Sequence, residues 1–562
     1  MRAKESLVAR RRVSTAPVVA AAALAAAFAL PAYGADWPAY RDGPHNLNYT
    51  PEAFTPPFSL VWRFTTEAAK KRVPPVVVGN RVFLAAGHMM YALDGVTGAR
   101  VWQYDAGANI LSPPACAQGK VFFGADNGKV IALNADSGAE AWTVSTSRYV
   151  RAAPVVEEGV VNSAALDRRV MAIDAATGAL RWTVRVTDEV WGTPAVRGGM
   201  VYVPTADGQV LVLDAGDGRT RTQVTLPRRR ALLHAVVASD DGMYIAGRAD
   251  LRALGLRGAL RWEQSYDAFV AGAPAFADGR LYVALINGRV QALDAQKGTV
   301  LWSFDFKAPM SSPPTVAGGV VVVGAVGGTV YALDAVTGKP RWRYLARPPG
   351  LAAGVEASFD LVAPAVYSDG SLYLMWNDGS LARFDDAWPD PAPPTIRLLT
   401  PEPDRVTDTD LPKLIGAQVF DQESGLDASS LEMLFDDTKV EADYDPYSGY
   451  FTHTIGKDSP LSRALTPGWH TVKVSARDQR GNSASKLWRF VATPGGEAEG
   501  AGPAEQPEQP GAPAEPPAVQ PPALPPYQPP TWAPPTGPGQ PSGEEQQGRS
   551  EDESPVEEEI TE

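Results

Sequence analysis

The chain has 562 residues, of which 44% are hydrophobic and 20% charged, so it is long enough to bury a large core. Its net charge of -13 is concentrated after residue 493, where 14 acidic residues stand against one basic residue. The rest of the chain is close to neutral, which excludes the broad basic surface that nucleic-acid binding requires. Abundant Gly (52) and Pro (51) are typical of short strands joined by tight turns.

Residues 1–34 are predicted to be a secretory signal peptide. A basic stretch at 10–12 precedes an Ala/Val/Leu run at 17–30, and Ala32 and Gly34 offer a cleavage position. The run is shorter than a comfortable membrane span, so an uncleaved anchor is the less favoured alternative. We therefore expect export to the periplasm or the cell surface, with no transmembrane segment after signal cleavage.

The chain has one cysteine, Cys116, which excludes an internal disulfide and any Cys-based metal or haem site. Cys116 lies in a strand-like run, and none of the five histidines is nearby in sequence. A buried, inert thiol is therefore predicted.

A tryptophan register with a period of 40 residues follows the predicted signal peptide. Seven of its eight positions hold Trp, and one holds Thr. The positions are Trp62, Trp102, Trp142, Trp182, Thr222, Trp262, Trp302 and Trp342. Each unit contains four strand-like runs, and pairs such as Asn127-Gly128 supply the positive φ of two-residue hairpins. A four-stranded antiparallel sheet at this period is the pattern of a β-propeller blade.

The two ends of the repeat predict how the ring closes. The last unit, 362–385, supplies three strands, whereas the first Trp-bearing strand, 59–64, has no blade ahead of it. Pairing that strand with the last three completes an eighth blade and leaves no open edge. An all-β, eight-bladed propeller is therefore predicted over residues 35–388.

The blades end in the pattern Ala-x-Asp/Asn-x-x-Thr/Ser-Gly-x-x-x-Trp, most fully at Ala92–Trp102, Ala172–Trp182 and Ala332–Trp342. It resembles the tryptophan-docking motif of the pyrroloquinoline quinone (PQQ) propeller superfamily, over about residues 36–388. The resemblance implies that each indole packs against a neighbouring blade and that the Gly allows close approach. We therefore expect the Trp residues to be structural, and the Asp and Thr beside them to fix the turn.

The resemblance implies two functions, because the superfamily contains PQQ- and metal-dependent dehydrogenases and a non-enzymatic, BamB-like branch that binds proteins through loops. The sequence has no pair of cysteines to form the disulfide of many such dehydrogenases. It also has no Glu/Asn/Asp spacing that matches the family's metal-and-base arrangement. A non-catalytic scaffold without PQQ is therefore favoured over a dehydrogenase.

The segments just before each first strand are predicted to form the mouth of the propeller. They carry acids (Asp188, Glu189, Asp267, Asp360), cations (Arg72, Arg148, Arg151, Lys307) and aromatic residues (Tyr149, Trp191, Phe269). This set suits a small polar ligand or a peptide. Arg151, Trp191 and Arg229 are the candidate ligand-binding residues. Arg229 belongs to a run of three arginines between two degenerate repeats, for which a solvated loop is the favoured interpretation.

A second domain is predicted after a linker at 389–394. Residues 395–493 contain six strand-like runs and resemble bacterial immunoglobulin-like modules of cell-surface proteins, which implies a β-sandwich. The candidate calcium ligands in it are Asp421, Glu423, Asp427, Asp478 and Asn482. Turn capping by these side chains is the favoured alternative.

Residues 494–562 are rich in Pro, Gly, Gln and Glu and are predicted to form a disordered, acidic tail. The function predicted for the whole chain is an exported, non-catalytic scaffold in the cell envelope. Its expected partners are other envelope proteins or extracellular polymers. The alternatives are a PQQ-dependent dehydrogenase and a calcium-dependent adhesion module.

Overall fold

The computed structural model describes residues 36–66, 73–226, 232–306, 308–346, 360–408, 413–445, 448–456 and 465–493. The predicted signal peptide, the predicted disordered tail, Arg72, Arg229 and Lys307 lie outside these ranges. Within these ranges, every regular secondary-structure element is a β-strand, as the sequence predicts. No helix in these ranges is long and apolar enough to cross a bilayer.

Eight sheets follow the 40-residue register; seven have four strands, and the sheet of blade 7 gains a fifth strand from the N-terminal segment. Two strands, β1 (Tyr49–Thr50) and β2 (Ser59–Thr65), precede the first complete blade. Blades 1 and 2 comprise β3 (Val76–Val78), β4 (Arg81–Ala86), β5 (Met89–Asp94), β6 (Arg100–Asp105), β7 (Ala115–Ala117), β8 (Lys120–Gly124), β9 (Lys129–Asn134) and β10 (Glu140–Ser145). Blades 3 and 4 comprise β11 (Val155–Glu157), β12 (Val160–Ala164), β13 (Arg169–Asp174), β14 (Leu180–Arg185), β15 (Ala195–Arg197), β16 (Met200–Pro204), β17 (Gln209–Asp214) and β18 (Thr220–Thr225).

The remaining blades repeat this order. Blades 5 and 6 comprise β19 (Val237–Ala238), β20 (Met243–Ala246), β21 (Asp250–Leu254), β22 (Leu260–Ser265), β23 (Ala275–Ala277), β24 (Arg280–Ala284), β25 (Arg289–Asp294) and β26 (Val300–Asp305). Blade 7 comprises β27 (Thr315–Ala317), β28 (Val320–Gly324), β29 (Thr329–Asp334) and β30 (Pro340–Leu345), and blade 8 has β31 (Val366–Ser368), β32 (Ser371–Met375) and β33 (Ser380–Asp385). Strand β2 pairs antiparallel with β33, from Ser59 opposite Asp385 to Thr65 opposite Ser380. This pairing confirms the predicted closure of the eighth blade.

Neighbouring blades meet through the tryptophans of the register. A Cβ added to Gly98 would lie 2.6 Å from the ring of Trp62, so only glycine lets the two blades approach this closely. Five further pairs share this arrangement: Trp102–Gly138, Trp142–Gly178, Trp182–Gly218, Trp262–Gly298 and Trp302–Gly338. Each of these six indoles donates its Nε1 hydrogen to a backbone carbonyl 33 residues further on. Where the repeat has Asp and Thr, they fix the turn before the outer strand, as expected; in blade 1, Asp94 Oδ1 accepts from the amide and hydroxyl of Thr97.

An N-terminal segment that no blade contains lies across the inner strands of the ring. Its backbone bonds first to Val77 of blade 1 and to Cys116 of blade 2, and β1 then pairs in parallel with β27 of blade 7. Between these points it bonds to β15, β19 and β23, and the Tyr367 hydroxyl of blade 8 donates to it. The sequence predicts no strand in this segment, because its residues show neither the alternating pattern of a strand nor the 40-residue repeat.

Nine more strands after the propeller form two sheets. The first sheet holds β34 (Thr395–Thr400), β36 (Lys413–Phe420), β39 (Asp443–Tyr444) and β40 (Tyr450–Ile455), and the second holds β35 (Val406–Asp408), β37 (Leu426–Phe435), β38 (Thr438–Val440), β41 (Gly468–Asp478) and β42 (Ser483–Thr493). Residues of both sheets, such as Ile415 and Trp488, share one hydrophobic core. The sandwich layering is as expected, and the immunoglobulin-like assignment stays a prediction.

The sandwich contacts blades 7 and 8 through hydrogen bonds. We call the region of these contacts the joint. The buried Tyr344 hydroxyl of β30 donates to the Gln422 carbonyl at 2.7 Å. The Leu60 amide of β2 donates to the Glu423 carbonyl at 3.2 Å. Arg480 donates from Nε to the Ser59 hydroxyl at 3.1 Å. The 421–425 loop of the sandwich therefore lies directly on the blade that closes the ring.

Candidate functional site

The mouth of the propeller is a funnel of about 280 Å³, lined by the residues that precede the inner strands. Arg151 and Trp191 both line it, as the sequence predicts, and they stand 40 residues apart, at equivalent positions of successive repeats. Leu111 and Ala271 line the same funnel at equivalent positions. The same position of successive repeats therefore contributes to the wall, and the residue type at that position differs from one blade to the next.

Arg151 is held in place on three sides. Its guanidinium makes two hydrogen bonds to the Asp126 carboxylate, at 2.9 and 3.1 Å. It also lies 4.8 Å from the ring centroid of Tyr149 and 5.3 Å from that of Trp191. Trp191 in turn donates from Nε1 to Glu189 at 3.0 Å. The cation and the two aromatic rings form a preorganised cluster at the rim.

The floor of the funnel comes from the N-terminal segment. Tyr40 faces the funnel, and the neighbouring Arg41 is 1% exposed, with its guanidinium bonded to the carbonyls of Asn46, Ala273 and Pro274. Burial lowers the pKa of Arg41. His234 also lines the funnel, and burial, with the nearby Arg41 charge, lowers its pKa to about 4. The imidazole is therefore neutral near pH 7.

The other predicted mouth residues pair locally. Asp188 pairs with Arg168 at 3.7 Å and Asp267 with Arg289 at 3.2 Å, and all four lie on the surface. Phe269 stacks under the Arg248 guanidinium at 4.1 Å. None of these residues lines the funnel.

The residues of the funnel do not fit a quinone with a coordinated metal. A calcium ion at a quinone needs several oxygen ligands converging on one point. Among the described residues that line the funnel, none is an acid, Asn or Gln, and the side-chain oxygens come from Tyr40 and Thr193 alone. The carboxylates of Asp126 and Glu189, which contact the wall from outside, are bonded to Arg151 and Trp191. This donor set supports recognition of a ligand and offers no general base beside a metal.

A second polar site lies at the joint, where three buried carboxylates meet. Single carboxylate oxygens of Asp390, Asp421 and Asp478 lie within 4.8 Å of one another, and the residues are 7%, 4% and 2% exposed. We call these three residues the acidic cluster. Burial and the neighbouring carboxylates raise the pKa of Asp421 to about 6. Burial, with a hydrogen bond to Asp390, raises the pKa of Glu423 to about 7.

The five predicted calcium ligands divide into four groups. Asp421 and Asp478 belong to the acidic cluster. Asn482 supports it, because its Nδ2 donates to Asp478 Oδ2 and to the Asp390 carbonyl, both at 2.7 Å. Asp427 stands apart, since its carboxylate accepts from the amide and hydroxyl of Ser429 in an irregular stretch of β37. Glu423 interacts with Asp390 at the edge of the cluster.

Sequence reasoning missed three residues of these sites. Asp390 was assigned to the linker, where a lone Asp between prolines gives no ligand pattern. Asp126 lies in a hairpin turn, 25 residues before its partner Arg151, with no periodic signal linking the two. His234 follows the irregular fourth repeat, and only the folded ring brings it over Arg41.

Comparison with known proteins identifies what the propeller resembles. A family model described as outer membrane protein assembly factor BamB matches residues 53–153, 126–268 and 247–387. No curated protein sequence matches the chain significantly.

Among solved structures, BamB from Moraxella catarrhalis is 18% identical, with a TM-score of 0.49 over 58% of this chain and 99% of its own. A europium-containing methanol dehydrogenase is 17% identical, with a TM-score of 0.51 over 60% of this chain and 89% of its own. A quinohemoprotein alcohol dehydrogenase from Comamonas testosteroni is 16% identical, with a TM-score of 0.52 over 65% and 82%. At these identities the similarity concerns the fold alone.

Proposed function

Because the chain belongs to the PQQ-like propeller family described as outer membrane protein assembly factor BamB, we propose that it is an exported, non-catalytic scaffold that binds a protein partner at its mouth. The rim cluster of Arg151, Tyr149 and Trp191 is the observation that carries the proposal. Arg, Tyr and Trp are the residues that contribute most to protein–protein binding. The bonds to Asp126 and Glu189 fix the cluster in advance, which lowers the entropic cost of docking.

The shape of the funnel supports a docking surface over a reaction chamber. Its volume is at the lower limit of the range typical of small-molecule sites. Its described wall consists mainly of Pro, Ala, Val and Leu, which offer apolar contact and no proton transfer. His234 is the one described wall residue suited to acid–base chemistry near neutral pH, and its lowered pKa makes it a poor base there.

Two independent features support the proposed location in the cell envelope. Residues 1–34 have the pattern of a secretory signal, and the family is named for a factor that acts on outer membrane proteins. An envelope compartment also suits a chain with one cysteine, because that thiol is buried and burial raises its pKa well above the usual value. Partners in this compartment are other envelope proteins, and extracellular polymers are the alternative.

Affinity capture with rim variants tests the proposal. The exported chain is used as bait on a native envelope fraction, beside Arg151→Ala, Trp191→Ala and the control Arg181→Ala. Arg181 pairs with Asp174 on the outer strand of blade 3, away from the funnel. We expect each rim variant to weaken capture of the main protein at least tenfold, because a hot-spot residue contributes about 2 kcal/mol or more. Equal capture by all variants, or a bound polymer that resists protease, would contradict a protein partner at the mouth.

A separate assay addresses the dehydrogenase alternative. The chain is incubated with PQQ and Ca²⁺, and quinone absorbance and dye reduction with alcohols and sugars are measured. Neither signal is expected, because the described wall of the funnel offers side-chain oxygens from Tyr40 and Thr193 alone and no carboxylate. Dye reduction that disappears in Arg151→Ala would sink the non-catalytic proposal.

A further inference from the structure

The acidic cluster lies where three separate stretches of chain converge. Asp390 belongs to the linker that leaves blade 8, Asp421 follows β36, and Asp478 is the last residue of β41. Asp478 stands opposite Leu426 in the ladder, which places it beside the 421–425 loop. The same loop bonds to Tyr344 and Leu60 of the propeller. A group bound here would contact the linker and the sandwich at the point where both meet the ring.

Among the described residues, no basic side chain forms an ion pair with Asp390, Asp421 or Asp478. Arg480, two residues after Asp478, directs its guanidinium to the Ser59 hydroxyl and to the carbonyls of Asp386 and Trp388 instead. Backbone amides donate to all three carboxylates, for example those of Glu423 and Gly425 to Asp421 Oδ1. Amide bonds favour the ionised form, but they do not neutralise three buried charges of the same sign.

Ser424 gives an independent sign of a missing partner. Its side chain is fully buried, and its hydroxyl has no hydrogen-bond partner among the described residues. Its amide donates to Asp390 Oδ2 at 3.1 Å. Since a serine hydroxyl oxygen lies roughly 3–4 Å from its own amide nitrogen, the orphaned oxygen lies within about 7 Å of Asp390 Oδ2. Buried polar atoms without partners are rare, and an ion at this point would satisfy the hydroxyl.

We infer that Asp390, Asp421 and Asp478, with the hydroxyl of Ser424, bind one Ca²⁺ ion that fixes the sandwich to the propeller. An all-oxygen donor set favours Ca²⁺ or Mg²⁺ over zinc, which prefers His and Cys. Mg²⁺ demands near-ideal octahedral geometry and gives up its water reluctantly, so a buried set of protein oxygens favours Ca²⁺. The carboxylate oxygens of the cluster lie within 4.8 Å of one another, which fits a Ca²⁺ coordination shell. This role is independent of what binds at the mouth.

Calorimetric titration of the whole chain tests the site. After treatment with a chelator, the chain is titrated with CaCl₂ and, separately, with MgCl₂. We expect one Ca²⁺ per chain, with a dissociation constant in the range of about 10⁻⁴–10⁻³ M that is typical of extracellular modules. Mg²⁺ should bind at least tenfold more weakly. Calcium should also raise the melting temperature of the chain.

Variants separate the cluster from the other acids of the sandwich. Asp478→Asn and Asp421→Asn should each weaken Ca²⁺ binding at least tenfold. The control Asp427→Asn, in the adjacent strand β37 and bonded to Ser429, should bind as the wild type does. Ser424→Ala retains all carboxylates and should weaken binding by about two- to tenfold without loss of folding, since it removes one neutral ligand. The absence of any calcium-dependent heat or melting shift in the wild type would overturn the inference. Equal loss in Asp427→Asn would do the same.

Discussion

The mouth and the joint are both polar sites, but their charges are balanced in different ways. At the mouth, Arg151 is paired with Asp126 and Arg148 with Glu189, which also accepts from Trp191, so these charges are balanced without a ligand. At the joint, the acidic cluster brings three carboxylates together without a cation from the described chain. A site that is complete can hold a fixed shape and present it to a partner. A site with unbalanced charge depends on what fills it.

This difference also concerns how the two sites are built. The mouth arises from one repeat position, at which Leu111, Arg151, Trp191 and Ala271 all face the same funnel. The joint arises from the linker, a loop and a strand end, which no repeat relates. Substitutions at the mouth should therefore change binding with little effect on stability, and substitutions at the joint should change stability first.

Removing the Tyr344 hydroxyl should have the largest effect on stability. Tyr344→Phe leaves the ring in place and deprives the Gln422 carbonyl of its donor, which should cost about 1–2 kcal/mol in the free energy of unfolding. Urea unfolding followed by fluorescence measures this loss. In calorimetry, we expect the sandwich to melt at a lower temperature than the propeller in this variant.

Tyr282→Phe is the matched control for that change. Its hydroxyl is also buried and bonds to the Ala335 carbonyl at 3.2 Å, but Trp302 donates to the same carbonyl. The loss in the free energy of unfolding should therefore be only about 0.5 kcal/mol. A loss as large as that of Tyr344→Phe would mean that the joint is no more sensitive than the propeller.

At the mouth, Asp126→Asn tests whether Arg151 needs its partner. The substitution removes a charge-assisted pair that is partly exposed, so we expect a loss of stability of at most about 1 kcal/mol. Capture of the partner should fall more clearly, since Arg151 is no longer fixed between Tyr149 and Trp191. A variant with unchanged capture would show that preorganisation of the rim does not matter.

The smallest net effect concerns pH, because two groups of the N-terminal region and the funnel act in opposite directions. Burial, with the nearby Glu52 charge, raises the pKa of Asp42 to about 7, so the folded state binds its proton more strongly than the unfolded state and stability falls as pH rises from about 4 to 7. His234 has a folded pKa of about 4, below its ordinary value, so its contribution is lost as pH falls through the same range.

Single variants separate these two contributions. Relative to the wild type, Asp42→Asn should gain stability as pH rises from 4.5 to 7, and His234→Asn should lose it, in urea unfolding at several pH values. Parallel profiles for all three proteins would mean that neither group titrates differently on folding.

Much of the propeller could be predicted from the chain alone. The Trp register identified the blades, and the unpaired strand 59–64 identified the partner of β33, which the structure extends to Thr65. These features are predictable because hairpins and blade contacts repeat at a fixed spacing. Arg151 and Trp191 could also be placed at the mouth, since a repeat position fixes the face on which a residue lies.

The rest depended on contacts between residues far apart in sequence. Asp390 and Asp478 are 88 positions apart, and no pattern in the sequence brings them together. Neither does any pattern place Tyr40 at the floor of a funnel whose wall begins at Val73. The sequence by itself determined the eight blades, because each blade is a local hairpin structure. Only the tertiary structure decided which charges are balanced and which are not, because burial and pairing are properties of the assembled ring and joint.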